Sequence, residues 1–67
     1  MHEGTITRLV LDRGFGFIAF PNEPDAFFHQ KDLVDLEWTD QLTELRVRCD
    51  LISTSKGPRA KNVRARG

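Results

Sequence analysis

Residues 13–20 read R-G-F-G-F-I-A-F, and this octapeptide carries the clearest structural signal in the chain. Because side chains alternate between the two faces of a strand, Phe15 and Phe17 are expected to lie on one face. Two adjacent rings on an exposed face favour a flat ligand such as an unstacked nucleobase, worth about 1–3 kcal/mol per stacked base. The intervening glycines would leave that ligand room, and Arg13 adds a cation for a phosphate. The alternative is an ordinary amphipathic strand with two core phenylalanines.

The octapeptide fits the RNA-binding pattern K/R-G-F/Y-G/A-F-V-x-F/Y, with Ile18 in the place of Val. Its position in the chain separates two folds that carry this pattern. In an RNA-recognition-motif domain it follows a strand, a helix and a further strand, which need more than the 12 residues before Arg13. Those residues have room for one strand. The position therefore favours a small barrel with the motif in its second strand.

The size and composition of the chain restrict its class. With 67 residues we expect one domain, residues 1–67, with a small core. The single cysteine, Cys49, excludes an internal disulfide, and together with His2 and His29 it lacks metal-ligand spacing, so neither a metal nor a cofactor is expected. No apolar run approaches the roughly 18 residues that span a bilayer, and the first four residues lack signal-peptide character. We expect a soluble, cytoplasmic monomer with no membrane contact.

The charges are unevenly distributed although the net charge is zero. The segment from Glu23 to Glu44 contains seven acids and one base, whereas Lys56 and the residues after it include five bases and no acid. Zero net charge argues mildly against a nucleic-acid-binding protein. If folding brings the basic end beside Arg8 and Arg13, however, the protein has one basic flank and one acidic flank. For any single charge, an ordinary solvated position is the simpler interpretation.

Alternating apolar residues and turn residues predict five strands. The predicted strands cover residues 5–11, 15–20, 26–29, 45–51 and 60–66. The connections are a turn at 12–14, a loop at 21–25, a helical turn at 30–33, a surface loop at 34–44 and a loop at 53–58. Five short strands without a long helix predict a small closed or nearly closed antiparallel barrel.

Alternation also assigns faces to the aromatic residues. Phe27 and His29 share one face of the third strand, while Phe28 takes the other face and joins Phe20 in the core. Strict alternation would place Arg8 on the same side as Ile6, inside the barrel. A bulge near Arg8 would bring this cation to the face with the rings, and without one Arg8 is not on that face.

Four blocks of the sequence, in order, resemble the cold-shock domain family. They are G-T-I at 4–6, R-G-F-G-F-I at 13–18, D-A-F-F-H at 25–29 and K-G-P-R-A-K-N-V at 56–63. The resemblance spans essentially the whole chain and implies an all-β fold, a five-stranded antiparallel OB-fold barrel. It also implies binding of single-stranded RNA or DNA with low sequence selectivity, often favouring pyrimidines. An RNA chaperone role, melting weak secondary structure by passive binding, would follow.

The resemblance implies a set of nucleic-acid-binding residues by position. Rings on the second and third strands match the family's stacking residues, and Trp38 matches a further ring in the long loop. Arg13 and Lys56 match basic residues along the path of the strand, while Asp25 matches an acid that accepts from a base edge. The complete expected set is Arg8, Arg13, Phe15, Phe17, Asp25, Phe27, His29, Gln30, Trp38, Lys56 and Arg59.

The chain departs from the family pattern at two places. Residues 7–10 read T-R-L-V where the family usually reads K-W-F-N, and Gln30 replaces an aromatic residue. The loss of two stacking platforms predicts binding weaker by about one to four decades. Arg8 can compensate in part by stacking on a base or pairing with a phosphate. We expect affinity on the order of micromolar for a short pyrimidine strand.

Other functions have less support in the sequence. His29 has no Ser, Cys or second His placed to form a nucleophilic pair, and Gly14-x-Gly16 lacks the third glycine and the helix of a dinucleotide site. No enzymatic activity and no small-molecule substrate are expected. The competing hypothesis is a protein-interaction module, since a barrel with fewer platforms, an acidic flank and zero net charge is suited to docking a basic protein or a larger assembly. The sequence leaves RNA and DNA equally open.

Overall fold

The computed structural model describes residues 2–66, which form five strands and two single-turn 3-10 helices. The strands are β1 (His2–Val10), β2 (Phe15–Phe20), β3 (Glu23–His29), β4 (Arg46–Thr54) and β5 (Gly57–Ala65). The 3-10 helices, Gln30–Asp32 and Asp40–Leu42, both lie between β3 and β4. Met1 and Gly67, the ends of the predicted domain, lie outside the described residues. In the described range, no helix has the length and apolar character needed to cross a membrane.

The strands close into a barrel in the order β1-β2-β3-β5-β4, with β4 pairing back to β1. The predicted all-β, five-stranded barrel is thus confirmed. One neighbouring pair, β3 and β5, is parallel and is joined where Phe27 lies opposite Arg59. An odd number of strands cannot alternate in direction all the way round a closed barrel, so at least one parallel contact is required. Closure pairs each strand with a neighbour on both sides, although the β3–β5 contact has only this one bridge.

The core consists of the inward side chains of all five strands and of the second 3-10 helix. Its buried residues are Ile6, Ile18, Phe20, Ala26, Phe28, Leu42, Val47, Cys49, Ala60 and Val63. The predicted core positions of Phe20 and Phe28 are confirmed. Leu42 corrects the prediction of a surface loop over 34–44: the 3-10 helix Asp40–Leu42, capped by the Thr39 hydroxyl, turns this leucine inward. One helical turn is too short to leave a periodic signal in the sequence.

Two bulges change which side chains face the core. In β1, the register moves from Ile6 opposite Ile18 to Arg8 opposite Phe17, so Thr7 is the extra residue. Leu9 then packs against the core, while Arg8 is exposed, which confirms the expected bulge. In β5, Asn62 has a positive φ of 52° and its amide donates to the Asp50 carboxylate at 2.9 Å.

Two predicted loops are shorter than expected because prolines lie inside strands. β3 already begins at Glu23 and includes Pro24, at a register irregularity opposite β2 where a regular ladder bond is not needed. Between β4 and β5 the predicted loop at 53–58 reduces to a tight turn. The Thr54 hydroxyl accepts a hydrogen bond from the Lys56 N–H at 3.2 Å and donates to the Gly57 carbonyl at 2.6 Å.

Gly16 faces the interior of the barrel, where there is no space for a side chain, so the expectation that it makes room for a ligand is wrong. The residue is buried, and a Cβ atom there would lie 2.5 Å from the Arg8 carbonyl oxygen and 2.9 Å from the Phe28 ring. Gly14 has a φ of 77° and the Gln30 side chain lies directly over it. Both glycines are therefore explained by the backbone and by packing.

Gly16→Ala is expected to lower the free energy of unfolding by about 1–3 kcal/mol, because a methyl group overpacks this site. The measurement is urea unfolding followed by the fluorescence of Trp38. An unstrained glycine-to-alanine change would instead stabilise the protein by about 0.4–1 kcal/mol. A rise in stability would show that the strand adapts, and would contradict the packing argument.

Cys49 is expected to resist alkylation in the folded protein. Burial, followed by the negative charge of Asp50, raises the pKa of the Cys49 thiol from its ordinary 9.0 to about 11. The reactive thiolate is thus scarce at pH 8. The same shift favours the protonated thiol in the folded state, so its contribution to stability is complete below pH 9.0 and is lost as the pH rises toward 11. The rate of iodoacetamide labelling should rise only as urea unfolds the protein. Labelling at the rate of a free thiol in native buffer would contradict the protection expected for Cys49.

Candidate nucleic-acid interface

Three phenylalanine rings form a contiguous patch on the outside of β2 and β3. Their ring centroids are 6.0 Å apart for Phe15 and Phe17, 5.4 Å for Phe15 and Phe27, and 6.1 Å for Phe17 and Phe27. Two of these pairs meet edge to face, a favoured geometry for aromatic rings. Each ring is half-buried against its neighbours and stays partly in contact with solvent. We call this patch, Phe15, Phe17 and Phe27, the aromatic face.

The strand register places other candidate residues in rows with these rings. Arg8 lies opposite Phe17, Phe17 opposite Phe27, and Phe27 opposite Arg59. Directly paired residues point to the same side of a sheet, so this row has a cation at each end and two rings between them. The neighbouring row contains Val10, Phe15 and His29. Val10 was not among the expected residues, and its place there follows from the bulge at Thr7.

A groove of about 490 Å³ continues the aromatic face toward the turn between β4 and β5. It is lined by Phe17, Phe27, Thr54, Ser55, Lys56, Gly57, Pro58 and Arg59. Lys56 is exposed in the turn, so its ammonium group is free to meet a phosphate. A strand stacked on the rings therefore has a continuous path past Lys56.

Arg59 is already paired within the protein. Its guanidinium approaches the Asp32 carboxylate at 3.2, 3.3 and 3.4 Å, and only 7% of Asp32 is exposed. The same carboxylate also accepts a hydrogen bond from the His29 backbone N–H at 2.9 Å. Arg59 thus differs from a free phosphate-binding cation, because a phosphate would have to compete with a buried acid. Asp32 and Arg59 are 27 residues apart, and the pairing was not predicted.

His29 has one ring nitrogen free for a ligand. Its Nδ1 accepts a hydrogen bond from the Lys31 backbone N–H at 3.1 Å, as the cap of the first 3-10 helix. In the neutral imidazole this arrangement leaves the proton on Nε2. Nε2–H is then a donor on the same side of β3 as Phe27, suited to a phosphate or a base edge. Asp25 is exposed and lies at the register irregularity of β3, next to Ala26.

Trp38 lies over the core rather than among the three outward rings. Its ring contacts Phe28 edge-on with centroids 6.0 Å apart, and its Nε1–H donates to the Leu11 carbonyl at 3.1 Å. The side chain is half-buried, so part of the indole remains accessible. Its indole N–H is used inside the protein, which limits the ligand contact that the resemblance implies.

Gln30 and Arg13 lie at the end of the barrel where β1 turns into β2. The Gln30 backbone N–H donates to the Gly14 carbonyl at 2.8 Å, and its side chain covers Gly14. Arg13 is exposed in this turn.

One further exposed residue, Ile52 on β4, lies opposite Arg59 and is absent from the set expected from the sequence, although its period-two spacing from Asp50 indicates an outward position. Among residues 2–66, no cluster of His, Cys, Asp or Glu is arranged to hold a metal ion.

Asp32→Asn is expected to lower the free energy of unfolding by about 1–3 kcal/mol, because the Arg59 guanidinium loses its charged acceptor. Arg59→Gln and the double variant complete a thermodynamic cycle measured by urea unfolding. We expect a coupling energy of about 0.5–3 kcal/mol between the two side chains. Additive effects of the two substitutions would show that the ion pair contributes nothing to stability.

Comparison with known proteins agrees with this geometry. Residues 2–66 match the family model described as the 'Cold-shock' DNA-binding domain. A "Cold shock-like protein" of Aquifex aeolicus (strain VF5) is 38% identical over 66 residues, which cover 96% of this chain and 93% of that protein. A solved structure titled "drosophila Unr CSD456" superposes with a TM-score of 0.75 over 98% of this chain, at 22% identity. This chain spans 26% of that structure, and the likeness concerns the fold alone.

The family model covers nearly the whole chain, and the Aquifex relative matches over almost its full length. The matched residues form the closed barrel that presents the outward rings of β2 and β3. The chain therefore belongs to the cold-shock domain family, whose members generally bind nucleic acids.

Proposed function

We propose that this protein binds single-stranded RNA or DNA on the aromatic face and performs no chemistry on it. The observation that carries the proposal is the patch of three contiguous, partly exposed rings with Arg8 at the end of one row. A ring patch of this kind offers stacking to any base, whereas a duplex keeps its bases stacked on each other. The ligand class is therefore an unpaired strand.

In this proposal each part of the interface has a separate role. Bases stack on Phe15, Phe17 and Phe27, which provides affinity with little sequence selectivity. His29 and Asp25 contact base edges or phosphates from β3. Arg8, Arg13 and Lys56 lie along the backbone of the strand, and Gln30 and Trp38 lie at the margins of the patch. A modest preference for pyrimidines is part of the proposal.

Arg59 contributes to binding only if a phosphate displaces Asp32. With Arg59 held in place, the backbone meets about three free cations, Arg8, Arg13 and Lys56. Single-strand binding loses about 0.7 in log K per log unit of salt for each phosphate neutralised, so we expect a shallow slope of about −2. The affinity for a short pyrimidine strand is expected to be on the order of micromolar.

The biological role that follows is passive. A protein that binds only the open form of an RNA shifts its pairing equilibrium by mass action, and it needs no ATP to do so. We propose an RNA chaperone of this type, acting as a single-domain monomer in the cytoplasm without cofactor or small-molecule substrate. The competing candidate is a protein-interaction module. The neutralisation of Arg59 by Asp32 favours it, since this leaves fewer free cations for phosphates.

Phe17→Leu and Phe27→Leu are each expected to weaken binding of a fluorescein-labelled hexathymidylate by about 5- to 150-fold, because leucine keeps apolar volume but cannot stack. The measurement is fluorescence anisotropy at two salt concentrations, with matched hexauridylate and hexaadenylate to compare ligands. Thr43→Ala is the control, since it removes part of an exposed side chain that lines neither the aromatic face nor the groove beside it, and should leave binding unchanged.

Urea unfolding of each variant separates lost stacking from lost structure. If both leucine variants are folded and bind as well as the parent protein, the aromatic face is not the binding site. Absence of any binding by the parent protein at low salt would favour the protein-interaction module.

A further inference from the structure

A second charged surface lies on the part of the barrel formed by β4, the end of β5 and the beginning of β1. Its outward side chains are those of Glu3, Arg46, Arg48, Arg64 and Arg66, all of which are exposed. Arg48 lies opposite Glu3 on one neighbouring strand and opposite Arg64 on the other. The Arg66 N–H donates to the Arg46 carbonyl at 3.0 Å, which continues the ladder beyond β5. We call these four arginines the arginine face.

The arginine face is separated from the aromatic face. In the order β1-β2-β3-β5-β4, strand β4 is not a neighbour of β2 or β3. Thr54, at the end of β4, lines the groove beside the rings, whereas Arg46 and Arg48, at its beginning, do not. Eight of the ten Lys and Arg residues are divided between these two surfaces: four near the rings (Arg8, Arg13, Lys56 and Arg59) and the four arginines of the second surface. A single strand stacked on the rings leaves the arginines unused.

The charges of the arginine face are poorly balanced within the protein. Glu3 approaches the Arg66 Nε at 3.0 Å and the Arg48 Nε at 3.9 Å. Asp50, two residues after Arg48 on the outward side of β4, accepts a hydrogen bond from the Asn62 amide at 2.9 Å. Within residues 2–66, Arg46 and Arg64 have no carboxylate partner. Arg48 and Arg64 lie directly opposite each other, an arrangement of like charges that destabilises an antiparallel pair. Folding gains nothing from this pairing, which points to an anionic ligand outside the chain.

The shape of the surface suits an anionic backbone rather than bases. A groove of about 460 Å³ beside these side chains is bordered by two arginines and one acid. It is lined by Glu3, Gly4, Thr5, Ala19, Phe20, Pro21, Arg46 and Arg66. The ring that lines it, Phe20, is only 8% exposed and cannot stack on a base. Positions two apart along a strand are about 6.8 Å apart and neighbouring strands about 4.8 Å, so the guanidinium groups form a dense array. Regularly repeated phosphates match such an array, and each guanidinium can hold a phosphate with two hydrogen bonds.

We propose that the arginine face binds the sugar-phosphate backbone of a second nucleic-acid segment while the aromatic face holds the bases of the first. The inference rests on the proposed function and extends it from strand opening to strand bridging. Because this face contacts phosphates without reading bases, it accepts single strands and duplexes alike. The protein then holds two segments within the 26 Å width of the barrel.

Duplex DNA is the probe that separates the two faces, because its stacked bases are closed to the rings. The triple variant Arg46→Gln, Arg48→Gln, Arg64→Gln should bind a 16-base-pair duplex at least about tenfold more weakly than the parent at low salt. Its salt slope should be shallower by about 2–3, at roughly 0.9 per lost phosphate contact. Binding of hexathymidylate to the aromatic face, where its bases stack, should change little. Lysine at the same three positions is the matched control, since it keeps the charge and should retain most duplex binding.

Bridging is measured by energy transfer between a donor-labelled hexathymidylate and an acceptor-labelled duplex. Transfer should appear with the parent protein and be lost in the triple variant. If a single strand instead wraps around both faces, its affinity should rise with its length and no transfer should occur between separate molecules. The proposal is overturned if the parent does not bind duplex, or if the triple variant binds it equally well.

The failure of this inference is distinguishable from failure of the proposed function. Phe17→Leu should reduce hexathymidylate binding while duplex binding persists. If duplex binding is insensitive to the arginines but the parent self-associates in sedimentation and the triple variant does not, the acid-rich segment 23–44 of a second copy occupies the surface. That result would overturn the nucleic-acid assignment and leave the aromatic face untouched.

Discussion

The structure depends on the two-residue period of β2, which the closed barrel enforces. Each inward position is filled by Gly16, Ile18 or Phe20, so the intervening rings have no room inside and must face outward. The tight contact of Gly16 with the Arg8 carbonyl shows how little space the interior has. Exposed aromatic rings in so small a domain are thus a consequence of packing geometry. The same alternation continues across β3 and extends the patch.

The bulges give the barrel its distribution of charge. In β1, Thr7 shifts the phase so that Arg8 joins the row of Phe17 and Phe27, and Leu9 takes the inward position. In β5, the bulge at Asn62 shifts the alternation of the side chains in a similar way. Zero net charge therefore conceals two basic surfaces, and the sum of charges is a poor guide to what the protein can bind.

Much of this fold could be predicted from sequence alone because its signals are local. The bounds of β2, the faces of β3 and the need for a bulge near Arg8 follow from alternation and from turn residues. The early starts of β3 and β5 could not be predicted, since Pro24 and Pro58 are tolerated at an irregularity and near a strand end. The Asp32–Arg59 pair requires closure of the barrel, which no local pattern encodes. For the interface, the rings follow from parity, whereas the outward position of Arg8 depends on the bulge at Thr7. The engagement of Trp38 and Arg59 depends on tertiary contacts.

The parallel seam between β3 and β5 has a further consequence. The two strands meet at Phe27 and Arg59, a nearby bridge joins Leu33 to Val63, and the Val34 N–H donates to the Val63 carbonyl at 2.7 Å. Every other junction of the barrel has a longer ladder, so the first opening of the native state should occur here. Such breathing would part Phe27 from its basic neighbour. A nucleic-acid strand bound across Phe27 and Arg59 would hold β3 and β5 together, so that the ligand would stabilise the weakest junction of the barrel that binds it.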